Sequence, residues 1–87
     1  LEWGLVNAVA PPEQLQALTL AWANRLANGA TKAFGLAKRA MNRGWEMSLA
    51  EALSYEAHLQ KVAADSEDYE EGVTAFLEKR SAQFKGR

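Results

Sequence analysis

Two adjacent prolines, Pro11 and Pro12, divide the 87-residue sequence into a short opening stretch and a long remainder. Proline disfavours helix in the residue before it but suits the first helical turn, where its missing N–H is not required. The run Leu-Val-Asn-Ala-Val-Ala at 5–10 contains β-branched residues and alternates imperfectly, which predicts a short extended segment. A lone strand needs a partner that this chain does not supply. The prolines therefore separate an extended lead-in over 1–10 from a helical region over 11–87.

The helical region contains four stretches, the first two of which are amphipathic. The first begins at Glu13 and ends at the Asn-Gly pair at 28–29, which is a typical helix end. The second extends from about Thr31 to Trp45, and Gly35 within it costs roughly 1 kcal/mol in helix propensity relative to alanine. The stripe of the first helix follows one 3.6-residue period and consists of Leu15, Leu18, Trp22 and Leu26.

The third and fourth helices carry capping signals. Ser48 and Glu51 have the spacing of a capping box, and this helix should continue to about Ala64. Ser66 is the expected N-cap of the last helix, over about 67–80, with acidic residues first and basic residues last, as the helix dipole favours. Its expected buried side consists of Tyr69, Val73, Phe76 and Leu77. The sequence thus predicts an all-α chain of about four helices.

Composition limits the classes of function. Ten basic and eleven acidic residues give a net charge of −1, which provides no general attraction for nucleic acid or for an anionic membrane. No cysteine is present, so disulfides and thiolate metal sites are excluded. No apolar run approaches the roughly 18 residues of a membrane span, and nothing resembles a signal peptide. We therefore expect a cytoplasmic protein that binds neither membrane nor nucleic acid.

Candidate chemistry is sparse. His58, the one histidine, lies in mid-helix without an evident catalytic partner, so we expect it to be structural or solvated. The acidic residues over 65–71 lack the calcium-loop pattern and indicate a helix N-terminus rather than a metal site. The basic residues of the second helix indicate a solvated face more than a phosphate site; they are Lys32, Lys38, Arg39 and Arg43.

Phe76 and Lys79 form the most informative pair. Their i, i+3 spacing places a ring and a cation on neighbouring faces of one helix, where they could contact an adenine and a phosphate of one ligand. The simpler interpretation, with Phe76 in a core and Lys79 in water, is favoured by spacing alone.

Several short runs occur in a distinctive order: Trp-Gly-Leu-Val-Asn-Ala-Val at 3–9, Lys-Arg-Ala-Met-Asn at 38–42, Ser-Leu-Ala-Glu-Ala-Leu at 48–53, Ser-Glu-Asp-Tyr-Glu-Glu-Gly-Val-Thr-Ala-Phe-Leu-Glu-Lys-Arg at 66–80 and Phe-Lys-Gly-Arg at 84–87. In order and spacing these runs resemble the C-terminal helices of the crotonase (enoyl-CoA hydratase/isomerase) superfamily. The details resemble the epoxide-derived or ring-hydroxylated acyl-CoA isomerases of phenylacetate breakdown somewhat. The resemblance covers nearly the whole chain.

This resemblance implies an acyl-CoA enzyme of fatty acid or aromatic acid degradation, with no cofactor beyond the acyl-CoA substrate. It implies a spiral α/β domain that supplies the oxyanion-hole amides and catalytic glutamates, and a helical part that forms trimers or hexamers. No position here matches the catalytic motifs, so we assign no catalytic residue and no metal ligand. Phe76 and Lys79 match the residues that lie near the CoA nucleotide in related hydratases, contributed by a neighbouring subunit.

The sequence begins at Leu1 rather than Met and opens into an apolar run, so we expect a piece of a longer protein. On this interpretation 1–10 leads in from the spiral domain, and 11–87 is an oligomerisation domain that is inactive alone and is able to form a swapped oligomer. The alternative is an autonomous small helical module that binds another protein.

Overall fold

The computed structural model describes all 87 residues, and they form four α-helices without a β-strand. Helix α1 spans Pro12–Ala27, α2 spans Thr31–Gly44, α3 spans Leu49–Ala64 and α4 spans Glu67–Glu78. The all-α prediction and the number of helices are confirmed. None of the four helices has the length and apolar character required to cross a bilayer.

The extended segment expected before the prolines is not seen. Residues 1–10 form no strand; turns and bends occupy residues 2–5 and 7, and the Gly4 N–H donates to the Leu1 carbonyl oxygen at 2.9 Å. Gly4 has a φ of 71°, which glycine adopts without steric cost. The physical reason is the missing neighbour, because an isolated strand leaves its backbone groups without a ladder.

Local signals set most helix boundaries. Proline occupies the first turn of α1, and Asn28 is its C-cap. The Ser48 hydroxyl accepts from the Glu51 N–H at 3.4 Å, while the Glu51 carboxylate accepts from the Ser48 N–H at 2.8 Å, so the expected capping box is present. The Ser48 hydroxyl also donates to Glu51 Oε2 at 2.7 Å, and this bond, followed by the one from the Ser48 N–H, lowers the pKa of Glu51 from its ordinary value.

The fourth helix ends two residues earlier than the sequence predicts. Ser66 caps its start by accepting from the Tyr69 N–H at 3.2 Å, as expected. Its end is at Glu78, because Lys79 adopts a left-handed conformation with φ 54° and ψ 39°. Lys79 and Arg80 therefore lie beyond the last turn of α4 rather than within it.

Only a small core joins these helices. Helix α2 packs on α3, and α3 contacts α4 over a shorter length. The buried apolar residues are Leu36, Leu59 and Ala75. The radius of gyration is 16.5 Å, whereas a compact domain of this length has about 12 Å, so the chain is spread out.

Helix α1 contributes no buried residue. Its predicted stripe of Leu15, Leu18, Trp22 and Leu26 is entirely exposed. The corner after α1 is tight, because a Cβ on Gly29 would lie 2.6 Å from the ring of Phe34. The first helix thus extends from the α2–α4 group with its apolar side uncovered.

The buried side of α4 is also not the predicted one. Tyr69, Val73, Phe76 and Leu77 are all exposed, whereas Asp68 and Ala75 are buried. The reason is that α3 and the C-terminal tail cover the Asp68–Ala75 side, and nothing within the chain covers the larger apolar side chains. The periodicity correctly identified an apolar face but not its partner.

Candidate functional site

The C-terminal end of α4 is a turn of the Schellman type. The Arg80 N–H donates to the Ala75 carbonyl oxygen at 3.0 Å, and the Lys79 N–H donates to that of Phe76 at 3.2 Å. The left-handed position in this motif usually belongs to glycine. Lys79 is the only residue other than glycine with a positive φ, and such a conformation costs on the order of 1–3 kcal/mol. Surrounding contacts must therefore hold it.

Arg80 supplies the strongest of these contacts. Its guanidinium donates to the two Glu71 carboxylate oxygens, from Nη1 at 2.6 Å and from Nη2 at 2.8 Å. Its Nε donates to Glu78 Oε2 at 2.6 Å. Hydrogen bonds from Arg80 and from the Gln83 N–H lower the pKa of Glu71 from 4.5 to about 2, and the two carboxylates raise the pKa of Arg80.

Asp68 holds the far end of the tail. The carboxylate is 4% exposed, accepts from the Lys85 N–H at 2.6 Å and accepts from the Gly86 N–H at 2.8 Å. The Asp68 N–H donates in return to the Arg87 carbonyl oxygen at 2.9 Å. These bonds satisfy a buried carboxylate whose burial would otherwise be costly.

Two glycines let the tail pass close to the helices. A Cβ on Gly72 would lie 3.5 Å from Cε1 of Phe84, which is ordinary contact between tail and α4. Gly86 has a φ of 78°, and a Cβ there would lie 2.5 Å from Thr31 Oγ1 at the start of α2. The tail over 80–87 is thus fixed against α4 and the beginning of α2.

The two candidate CoA-binding residues differ in setting. Phe76 is 79% exposed and lines an open groove of about 400 Å³ between α4, the tail and the start of α2. Lys79 does not line this groove; its side chain is exposed and has no carboxylate partner within 4.0 Å. The remaining apolar and aromatic groove residues are Ala30, Ala33, Ala63, Tyr69, Val73, Leu77 and Phe84.

In the structure, Phe76 and Lys79 are linked by the hydrogen bond from the Lys79 N–H to the Phe76 carbonyl oxygen at the end of α4. They do not sit on neighbouring faces of one continuous helix, as their spacing had suggested, because the helix stops between them at Glu78. Both side chains remain open to a ligand or to another subunit. Their assignment to CoA stays a prediction.

Two of the other acidic residues over 65–71 form ion pairs within the chain. Glu67 pairs with Arg87 at 3.1 Å, and Asp65 pairs with Lys61 at 3.2 Å. Together with the roles of Asp68 and Glu71, this means that the N-terminal acids of α4 are not simply a solvated cluster. Sequence reasoning missed that use, since their partners lie up to 20 residues away in the chain.

The remaining candidates form no catalytic arrangement with one another. His58 is exposed on α3. Arg43 stacks on the ring of Tyr55, with 5.2 Å between its Cζ and the ring centroid, and so links α2 to α3. Glu56 lines an apolar groove of about 520 Å³ between the same helices. Most of the wall of this groove is alanine, leucine and methionine.

Comparison with known proteins gives a consistent result. The Enoyl-CoA hydratase/isomerase family profile matches residues 1–87. A Mycobacterium bovis protein named as a probable enoyl-CoA hydratase is 42% identical, over 97% of this chain and 33% of its own length. The 1,2-epoxyphenylacetyl-CoA isomerase of Escherichia coli is 41% identical, over 99% of this chain and 33% of its own length.

The structural comparison agrees with the sequence comparison. The crystal structure of an enoyl-CoA hydratase from Geobacillus kaustophilus superposes with a TM-score of 0.91 at 45% identity. It covers 99% of this chain and 33% of the solved chain. The chain thus spans about a third of the length of the relatives that it matches. The match along its full length establishes that the chain belongs to the enoyl-CoA hydratase/isomerase family.

Proposed function

We propose that this chain is the C-terminal helical segment of an acyl-CoA hydratase or isomerase, inactive by itself, and that it serves oligomerisation and the edge of the CoA site. Its apolar faces would pack against the remainder of that enzyme and against neighbouring subunits. The acyl-CoA substrate class follows from the names of the relatives, which include an enoyl-CoA hydratase and an epoxyphenylacetyl-CoA isomerase.

The observation that carries this proposal is the uncovered stripe of α1. A 16-residue helix with leucines and a tryptophan on one side and no buried residue is built to contact another surface. The rings of Trp3 and Trp45 are exposed as well. Family membership favours an enzyme subunit as the source of that contact over an autonomous binding module.

The CoA edge is the part of the proposal that concerns individual residues. Phe76 offers an exposed ring beside an apolar groove, and Lys79, three residues later, offers an ammonium without a carboxylate partner. A ring suits the face of an adenine, and an ammonium suits a phosphate. We assign no proton-transfer role to this chain, since no position matches the catalytic motifs of the family and Glu51 is occupied by its capping box.

Light scattering across a range of concentrations tests the packing role. We expect the measured mass to rise with concentration, because apolar faces associate when nothing else covers them. Leu18→Glu, which places a charge on the α1 stripe, should reduce association. Gln16→Glu adds the same charge away from the stripe and should not. A compact monomer at the highest concentration would contradict the proposal.

Two further measurements test the chemistry. A verified pure sample should show no hydration of an enoyl-CoA, and measurable turnover would contradict the claim of inactivity. Titration of coenzyme A into isotope-labelled chain should shift the NMR signals of Phe76 and Lys79. Lys79→Ala should remove that response, and Lys38→Ala, an exposed lysine on α2, should preserve it.

A further inference from the structure

Lys79, the residue with the left-handed backbone, lies in the chain between the two members of an ion pair, Glu71 and Arg80. Arg80 follows directly, and its guanidinium reaches back to Glu71, nine residues earlier on α4. We propose that Glu71 is a positioning residue, which through Arg80 holds Lys79 in its left-handed conformation and so fixes where its ammonium leaves the helix relative to Phe76. The ligand in this inference rests on the proposed function, whereas the backbone conformation does not.

Helix geometry makes the pair and a longer helix mutually exclusive. If α4 continued to residue 80, positions 71 and 80 would lie about 180° apart around the axis and about 13 Å apart along it. The two side chains would then point away from each other and could not form a bidentate pair. The observed distances of 2.6 and 2.8 Å are therefore reached only because the chain reverses at Lys79.

Glu71 also binds the chain beyond the reversal. Its Oε1 atom accepts from the Gln83 N–H at 2.7 Å, so one carboxylate bonds both the guanidinium and the backbone after the turn. Bidentate arginine–carboxylate pairs are geometrically specific, which suits the selection of one backbone conformation. This pair is also only partly exposed, with side-chain accessibilities of 39% for Arg80 and 24% for Glu71.

The Glu71–Arg80 pair determines which of two neighbouring cations is available to a ligand. Arg80 is bound by Glu71 and Glu78, which leaves Lys79 as the neighbouring cation without a carboxylate partner. A lysine bound by these acids would be poorly available to an anion. Arg80 therefore stabilises the turn, and Lys79 is left available to bind a phosphate group.

NMR on the full chain tests the positioning role. The three-bond coupling between amide and α protons, together with the Cα shift of Lys79, distinguishes left-handed from helical backbone. Glu71→Gln should move both toward helical values. Glu70→Gln removes a neighbouring exposed carboxylate that accepts no side-chain hydrogen bond, and it should change neither.

Coenzyme A supplies the second measurement. In the unsubstituted chain it should shift the Lys79 signals, and Glu71→Gln should abolish that shift although Lys79 itself is retained. If Glu71→Gln leaves the Lys79 backbone unchanged, the positioning role is overturned whatever CoA does. If the backbone changes but CoA perturbs no variant, the positioning role is upheld and the proposed CoA edge is wrong.

Discussion

The Gly86 N–H donates to Asp68 Oδ2 at 2.8 Å, so that the end of the chain is tied to the first turn of the helix that precedes it. The contact spans 18 residues and is formed by a carboxylate that is almost completely buried. The neighbouring Lys85 N–H donates to the other oxygen, so the Asp68 carboxylate accepts from two consecutive backbone N–H groups of the tail. Its removal should affect the tail specifically.

Asp68→Asn should therefore destabilise the chain by about 1–3 kcal/mol, because an amide offers one acceptor oxygen and turns an NH₂ group toward a buried donor. Urea unfolding followed by circular dichroism measures the loss. Hydrogen exchange should accelerate at Gly86 in the variant. The matched change Glu70→Gln lies on the same helix and is exposed, so it should cost far less. Equal effects of the two substitutions would contradict the role of Asp68.

The attachment of the tail should also depend on pH. Glu71 has a pKa of about 2 in the folded chain and an ordinary value of 4.5, so the unfolded chain binds its proton first as pH falls. The stabilisation from ionised Glu71 is thus complete above about 4.5 and is lost as pH falls toward 2. The free energy of unfolding, measured at a series of pH values, should fall as pH drops from about 4.5 toward 2 in the unsubstituted chain. It should fall less steeply in Glu71→Gln. Identical slopes would exclude Glu71 as the source.

Leu59 is the apolar side chain on which α3 depends. It is 6% exposed, and Leu59→Ala should cost about 2–5 kcal/mol through lost burial and the cavity left behind. In so small a core this is enough to unfold much of the population. Leu53→Ala makes the same change at an exposed position of the same helix and should cost much less. Thermal unfolding followed by circular dichroism compares the two.

The capping box at the start of α3 should have a measurable effect. Ser48→Ala removes the hydroxyl that accepts from Glu51 and should cost about 1 kcal/mol. Ser54→Ala, within the exposed part of the same helix, should be neutral or slightly stabilising because alanine is the better helix former. A result in the opposite order, measured by urea unfolding, would mean that α3 does not begin as described.

Gly35 gives a prediction of the opposite sign. It lies inside α2, and a Cβ there would meet nothing within 4 Å. Gly35→Ala should therefore stabilise the isolated chain by roughly 0.5–1 kcal/mol through helix propensity. Gly29→Ala should gain less, because its Cβ would meet the Phe34 ring at 2.6 Å and that ring would have to move. Thermal melts of both variants provide the check, and a destabilising Gly35→Ala would show that this side of α2 is occupied.

The features predicted correctly from sequence are those with local causes. The prolines define the start of α1, and the Ser48–Glu51 pair defines the start of α3, because each signal acts within four residues. The family could also be identified from ordered short motifs. These signals need no knowledge of what lies across the fold.

The features that were missed have distant causes. Nothing local indicates that Asp68 would bind residues 85 and 86, or that Arg80 would turn back to Glu71 rather than extend the helix. The buried side of α4 was misassigned for a related reason, since periodicity locates an apolar stripe but not the surface that covers it.

The isolation of α1 has a consequence for the lifetime of the chain. A helix of 16 residues is near the lower limit for stability in water, and α1 gains no shelter from side-chain burial. Its amides should exchange with solvent before those of α3, and its leucines are open to chaperones and proteases. The lifetime of the chain in a cell therefore depends on how soon another protein surface covers α1.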